Sequence, residues 1–149
     1  MEVKELNDMF LINSTDARKE WSSVIDNAIR KKPQFIKRTR DKLILSNTDI
    51  FKNLLSPYKF TTKKYIEDDG SVTLSLDTID LIENAPTENE VKLKMAEAIK
   101  EYAEDFYKEF EYWTSAPNRK EHIPFVLKAI LSDDINDIAE SIECLNGEN

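Results

Sequence analysis

The sequence predicts an α+β fold in two parts. A small N-terminal module of strand, helix, hairpin and helix spans residues 1–57. A second α+β region spans 58–149, with a hairpin, a long helix and then C-terminal helices. Three observations carry this expectation. Apolar residues switch repeatedly between the period of two that marks a strand and the 3.6 that marks a helix. Ser56-Pro57 breaks the pattern where the parts meet. Charge also divides along the chain: residues 1–64 hold fourteen Lys and Arg against eight Asp and Glu, whereas 65–149 hold seven against twenty-one, about +6 and −14 within a net −8.

With 149 residues, 40% hydrophobic and 34% charged, the chain has apolar material for one ordinary domain or two small ones. No apolar run approaches the roughly 18 residues of a membrane span, and Glu2, Lys4 and Glu5 do not make a secretory leader, so a cytoplasmic protein without membrane contact is expected. A single cysteine, Cys144, excludes an internal disulfide. With His122 the one histidine, neither metal nor cofactor is expected.

In chain order, residues 9–13 (MFLIN) read as a short strand, and Ser14 and Thr15 as caps of a helix whose stripe is Ala17, Trp21, Val24, Ile25, Ala28 and Ile29. Pro33 ends it. QFIKR and KLILS flank Thr39-Arg40-Asp41 as an antiparallel hairpin. Asn47 caps a helix over residues 48–55 that turns Ile50, Phe51, Leu54 and Leu55 inward. A second hairpin turns at residues 67–71, where Gly70 supplies a positive φ, and IDLI suggests a further strand. Thr87 and Glu90 form a capping box that opens a helix to residue 113, about 39 Å long at 1.5 Å per residue. Pro117 and Pro124 punctuate the segment between that helix and Leu131. Asp133-Asp134 open a last helix carrying Ile135, Ile138, Ala139 and Ile142, with residues 146–149 frayed.

Catalytic signatures are sparse. Two glycines cannot build a phosphate loop, and His122 lacks a neighbouring nucleophile. Asp77 with Asp80 resemble the paired carboxylates of a metal nuclease, but turn chemistry and solvation account for them as well. A non-enzymatic protein is expected.

Binding is better represented. Ser14 and Thr15 open a helix whose free N–H groups suit a phosphate, and Arg18 and Lys19 fall in its first turn. Lys37, Arg38, Arg40 and Lys42 surround the hairpin. If hairpin and helix start share one side, six cations converge on a duplex face. In the second region, Tyr102, Phe106, Tyr107, Phe110, Tyr112 and Trp113 lie among acids that repel phosphates, which suits a protein core or a protein partner, with Tyr102, Phe106, Phe110 and Trp113 as the partner-binding candidates.

The stretches INSTDARKEWSSVID and KPQFIKRTRDKLILSNTDIFKNLL, within residues 11–55, resemble the prevent-host-death (Phd/YefM) antitoxin family. That resemblance implies a dimer that binds double-stranded operator DNA, with Arg18 and Arg38 at operator-contacting positions, and a cognate toxin protein as partner. Arg40 stands where the family often has glycine or asparagine. Residues 65–106 are distantly similar to HicB-type antitoxin domains. The implied function is autorepression together with toxin neutralisation. A stand-alone transcriptional regulator that keeps the module without a toxin is the rival reading.

Overall fold

The computed structural model describes residues 6–147 and divides the chain into two compact units, residues 1–54 and 55–149. Each holds its own sheet and its own buried cluster.

In the first unit a 3-10 turn, Leu6–Met9, precedes β1 (Leu11–Asn13), α1 (Ser14–Lys19), α2 (Trp21–Arg30), β2 (Gln34–Arg38), β3 (Asp41–Leu45) and α3 (Thr48–Leu54). The sheet order is β1-β2-β3, with β1 parallel to β2 and β2 antiparallel to β3. Ile12, Ile36 and Leu43 are in register across it. The expected single helix is broken at Glu20, whose φ of −115° and ψ of 37° redirect the chain. Two short helices thus meet the sheet through Ala17 and through Val24 and Ala28, while Trp21 and Ile29 of the same stripe stay 47% and 53% exposed. Asn13, not Ser14 or Thr15, caps α1: its Oδ1 accepts from the Thr15 N–H at 3.1 Å.

The hairpin forms as expected, with Thr39 carrying the positive φ (56°) at its tip. Asn47 caps α3 by accepting from the Asp49 N–H at 2.8 Å, and its Nδ2 donates to the Ile29 carbonyl at the end of α2. Of the four residues expected to turn inward, Leu55 just past α3 is buried and Phe51 is half-buried, but α3 itself buries none of its residues, and Ile50 and Leu54 face solvent. The reason is size: the buried cluster of this unit is only Ala17, Val24 and Ile36, with Ile12 and Leu45 against it, too small to receive them.

The second unit runs β4 (Phe60–Ile66), β5 (Val72–Leu76), β6 (Leu81–Ala85), α4 (Glu88–Lys108), α5 (Phe110–Ser115), a 3-10 turn (Lys120–His122), α6 (Ile123–Ile130), α7 (Ile135–Glu140) and β7 (Ile142–Asn146). Its sheet order is β6-β5-β4-β7, with β7 parallel to β4. Period-two alternation sends Phe60, Leu74, Leu76 and Ile142 inward against Val91, Met95, Ile99 and Phe106 of α4, Val126 of α6 and Ile138 of α7. Ile82 and Leu145 on the opposite face remain exposed.

Gly70 turns the β4–β5 hairpin at φ 85°, and the Thr87 hydroxyl accepts from the Glu90 N–H at 3.2 Å to start α4. Two expectations are corrected here. The long helix stops at Lys108, because Glu109 (φ −122°, ψ 45°) swings Phe110 and Trp113 back onto Phe106. The last helix stops at Glu140: Ile142 opens a strand, and the Gly147 N–H donates to the Lys64 carbonyl at 2.8 Å, so residues 146 and 147 are anchored. Residues 148 and 149 lie outside the described chain.

Candidate nucleic-acid interface and partner surface

The expected DNA-contacting residues are distributed by α1 and the β2–β3 hairpin. Ser14 is half-buried at the start of α1, and Thr15 is exposed, with its N–H taken by Asn13. Arg18 and Lys19 do not lie in a first turn. Because the helix begins at Ser14 and breaks at Glu20, they occupy its last turn, where carbonyl oxygens collect and a cation is favoured. Both are exposed.

Strand alternation divides the hairpin cations. Arg38 lies on the face of β2 that also carries buried Gln34 and Ile36, which α1 and α2 cover, and pairs in register with Asp41. Lys37 and Lys42 face each other across the opposite side, and Arg40 stands at the tip. The sheet therefore brings Arg18, Lys19 and Arg38 to one side and puts Lys37 and Lys42 on the other. A single platform of six cations does not form. Among the described residues, no acid lies within 4.0 Å of the charged groups of Arg18, Lys19, Lys37, Arg38 or Arg40, so their field is directed at solvent.

In the second unit the four aromatics expected at a partner surface turn largely inward. Phe106 is 1% exposed, and Tyr102, Phe110 and Trp113 are partly buried around it, at ring distances of 6.0, 5.7 and 6.2 Å. Tyr107 and Tyr112, in the wider aromatic set but not among the four partner-binding candidates, are the exposed rings of this segment. Helical phase identifies one of them: at 3.6 residues per turn, Tyr107 lies about 160° around α4 from buried Val91.

A polar network ties the chain after α5 to α4. The Tyr102 Oη and His122 Nδ1 are 2.6 Å apart, and Arg119 donates to the same Oη at 3.2 Å. The tyrosine oxygen accepts from the guanidinium, and the tautomer of His122 sets which partner donates in the second contact: the tyrosine when the imidazole proton is on Nε2, Nδ1 when it is there. His122 is 5% exposed, and burial first, then nearby Arg119, lowers its pKa below the ordinary value, while Asp80 and Glu121 oppose the shift. Burial raises the Tyr102 hydroxyl. Arg119 also stacks 5.7 Å from the Trp113 ring.

Asp77 is engaged structurally, accepting from the Ser75 hydroxyl at 2.7 Å and pairing with Lys63 at 3.1 Å. These contacts, the hydroxyl first, hold its carboxyl below the usual range. Among the described residues no group of three His, Cys, Asp or Glu side chains is placed to hold a metal. No helix there is long and apolar enough to cross a membrane.

The chain thus holds a small sheet unit with outward-facing cations and a larger acidic α+β unit, features of a binding protein. Residues 9–144 match the PHD-like family, described as antitoxin of toxin-antitoxin, RelE/RelB, TA system, and the chain belongs to that family. A solved structure from Syntrophomonas wolfei subsp. wolfei, an antitoxin part of a proposed toxin/antitoxin system, is 36% identical. It superposes with a TM-score of 0.88 over 92% of this chain and 99% of its own. No curated protein matches the chain. The protein is therefore an antitoxin of a toxin-antitoxin system, a non-enzymatic class with a toxin for a partner.

Proposed function

We propose that this antitoxin is of the Phd/YefM type: its first unit pairs with a second copy and represses its own operator, and its acidic second unit neutralises the toxin by protein–protein contact in the cytoplasm. The observation that carries the dimer is the apolar surface the first unit leaves open. Trp21, Ile29, Phe35, Leu43, Ile44 and Leu54 are all exposed around a buried cluster of three residues. A unit of this size cannot stand on so small a core, and a second copy that covers these side chains supplies what is missing.

DNA contact then falls to Arg18, Lys19, Arg38 and Arg40, with Ser14 and Thr15 at the neighbouring helix start. Lys37 and Lys42 add charge from the far face of the sheet. Solvent-facing cations release counterions from the duplex, and arginine forks read base edges at about 1–3 kcal/mol each. Four such cations per protomer give a log-affinity against log-salt slope of about −7 for the dimer. Arg18→Ala with Arg38→Ala removes four contacts and reduces the slope to about −4 in a gel-shift titration, without unfolding the chain. An unchanged slope and affinity would sink the assignment.

The second unit is acidic, which suits a basic toxin through electrostatic complementarity. Its hairpin, strand and capped helix, β4 to α4, follow the order on which the distant HicB-type likeness rests.

A further inference from the structure

We infer that the toxin seats on the outer side of the bend between α4 and α5, with Tyr107 and Tyr112 as anchors and a lysine- and arginine-rich toxin surface over the acids around them. This rests on neutralisation by the second unit, as proposed above.

Tyr107 and Tyr112 are 58% and 64% exposed, among the most open large side chains of the unit. Yet both are held. Tyr107 stands edge-on to Phe110 at 6.5 Å, and Tyr112 edge-on to Trp113 at 5.2 Å. Phe110 and Trp113 in turn pack on buried Phe106. Rings braced on a rigid interior lose little freedom when a partner covers them, which is the property of aromatic anchors in protein interfaces. The Glu109 break gives the pair its setting, since it carries α5 back onto the core and leaves the two tyrosines outside.

The surroundings select the partner's chemistry. Between residues 101 and 112 stand Glu101, Glu104, Asp105, Glu109 and Glu111 against Lys108 alone. Glu104 pairs with Lys100 at 3.6 Å, whereas among the described residues Glu101, Asp105, Glu109 and Glu111 meet no cation within 4.0 Å. A nucleic acid stacking on the tyrosines would meet repulsion from these carboxylates, so the surface fits a cationic protein. The open sheet face with Ile82 and Leu145 lacks this selectivity, because its Lys63 already pairs with Asp77.

The test uses the full chain, co-expressed with its toxin, identified as the protein that arrests growth when expressed alone and is relieved by this chain. Tyr107→Ala with Tyr112→Ala weakens toxin binding by about 30- to 100-fold, as expected for two aromatic anchors. Glu109→Lys with Glu111→Lys weakens it by about tenfold or more at low salt, and less as salt rises. Both variants keep the wild-type urea midpoint and operator affinity. Should the tyrosine variant misfold, the charge-reversed variant decides alone. Folded variants that bind toxin within about threefold of wild type place the seat elsewhere while leaving neutralisation intact. A wild-type chain that fails to bind the toxin overturns both readings.

Discussion

Replacing Phe106 with Ala separates the interior of the second unit from its surface. The ring is 1% exposed and contacts Tyr102, Phe110 and Trp113, so truncation removes its buried area and leaves a cavity beneath three rings. Core Phe→Ala changes cost about 3–5 kcal/mol. With an m-value of about 1–2 kcal/mol/M for a unit of this size, the urea midpoint falls by roughly 1.5–5 M. Tyr107→Ala, at an exposed site, stays within about 0.5 kcal/mol of wild type. Urea unfolding followed by Trp113 fluorescence, in a Trp21→Phe background, reads the difference directly. A Phe106→Ala chain with an unchanged midpoint but lost toxin binding would refute the reasoning, because the ring would then be a contact and not a core element.

Three other outcomes are expected from the geometry. The His122 pKa is lowered in the fold, so the unfolded chain takes up its proton first; the stability due to this group is complete above about pH 6.5 and drains as pH falls through the folded value. Urea midpoints from about pH 5 to 8 should show that decline, a His122→Gln chain should flatten it, and an undiminished slope in the variant would assign it to other groups. Asp134 caps α7 by accepting from the Asp137 N–H at 3.0 Å, and Asp134→Ala should cost about 1 kcal/mol, read as a lower melting temperature; no change would mean α7 is held by packing alone. Leu43→Glu with Ile44→Glu charges both faces of β3 and should convert a dimer to a monomer in light scattering, whereas a dimer that persists would move the self-contact elsewhere.

The elements legible from sequence are those with local causes. Asn47 and Thr87 cap the helices they were expected to cap, Gly70 supplies the positive φ of its turn, and alternation in QFIKR and KLILS produced the hairpin. What escaped depends on distant contacts. Ile142 continues the helical spacing of Ile135, Ile138 and Ala139, and only pairing with Phe60, eighty-two residues earlier, makes it a strand. The Glu109 break has no glycine or proline to announce it and comes from Phe110 and Trp113 closing on Phe106. Helix length misled in the same way at the candidate site. Arg18 and Lys19 open a long helix by spacing alone until Glu20 ends it, and the two faces of a hairpin cannot be separated by counting charges.

The most direct test of an antitoxin whose two units divide its work is one strain carrying its toxin gene and a reporter behind the promoter of its own gene. The toxin alone should arrest growth, and the wild-type chain should restore growth and silence the reporter. The Arg18→Ala, Arg38→Ala chain should still restore growth but leave the reporter active. A double variant that loses both activities while remaining folded, or keeps both, contradicts the division.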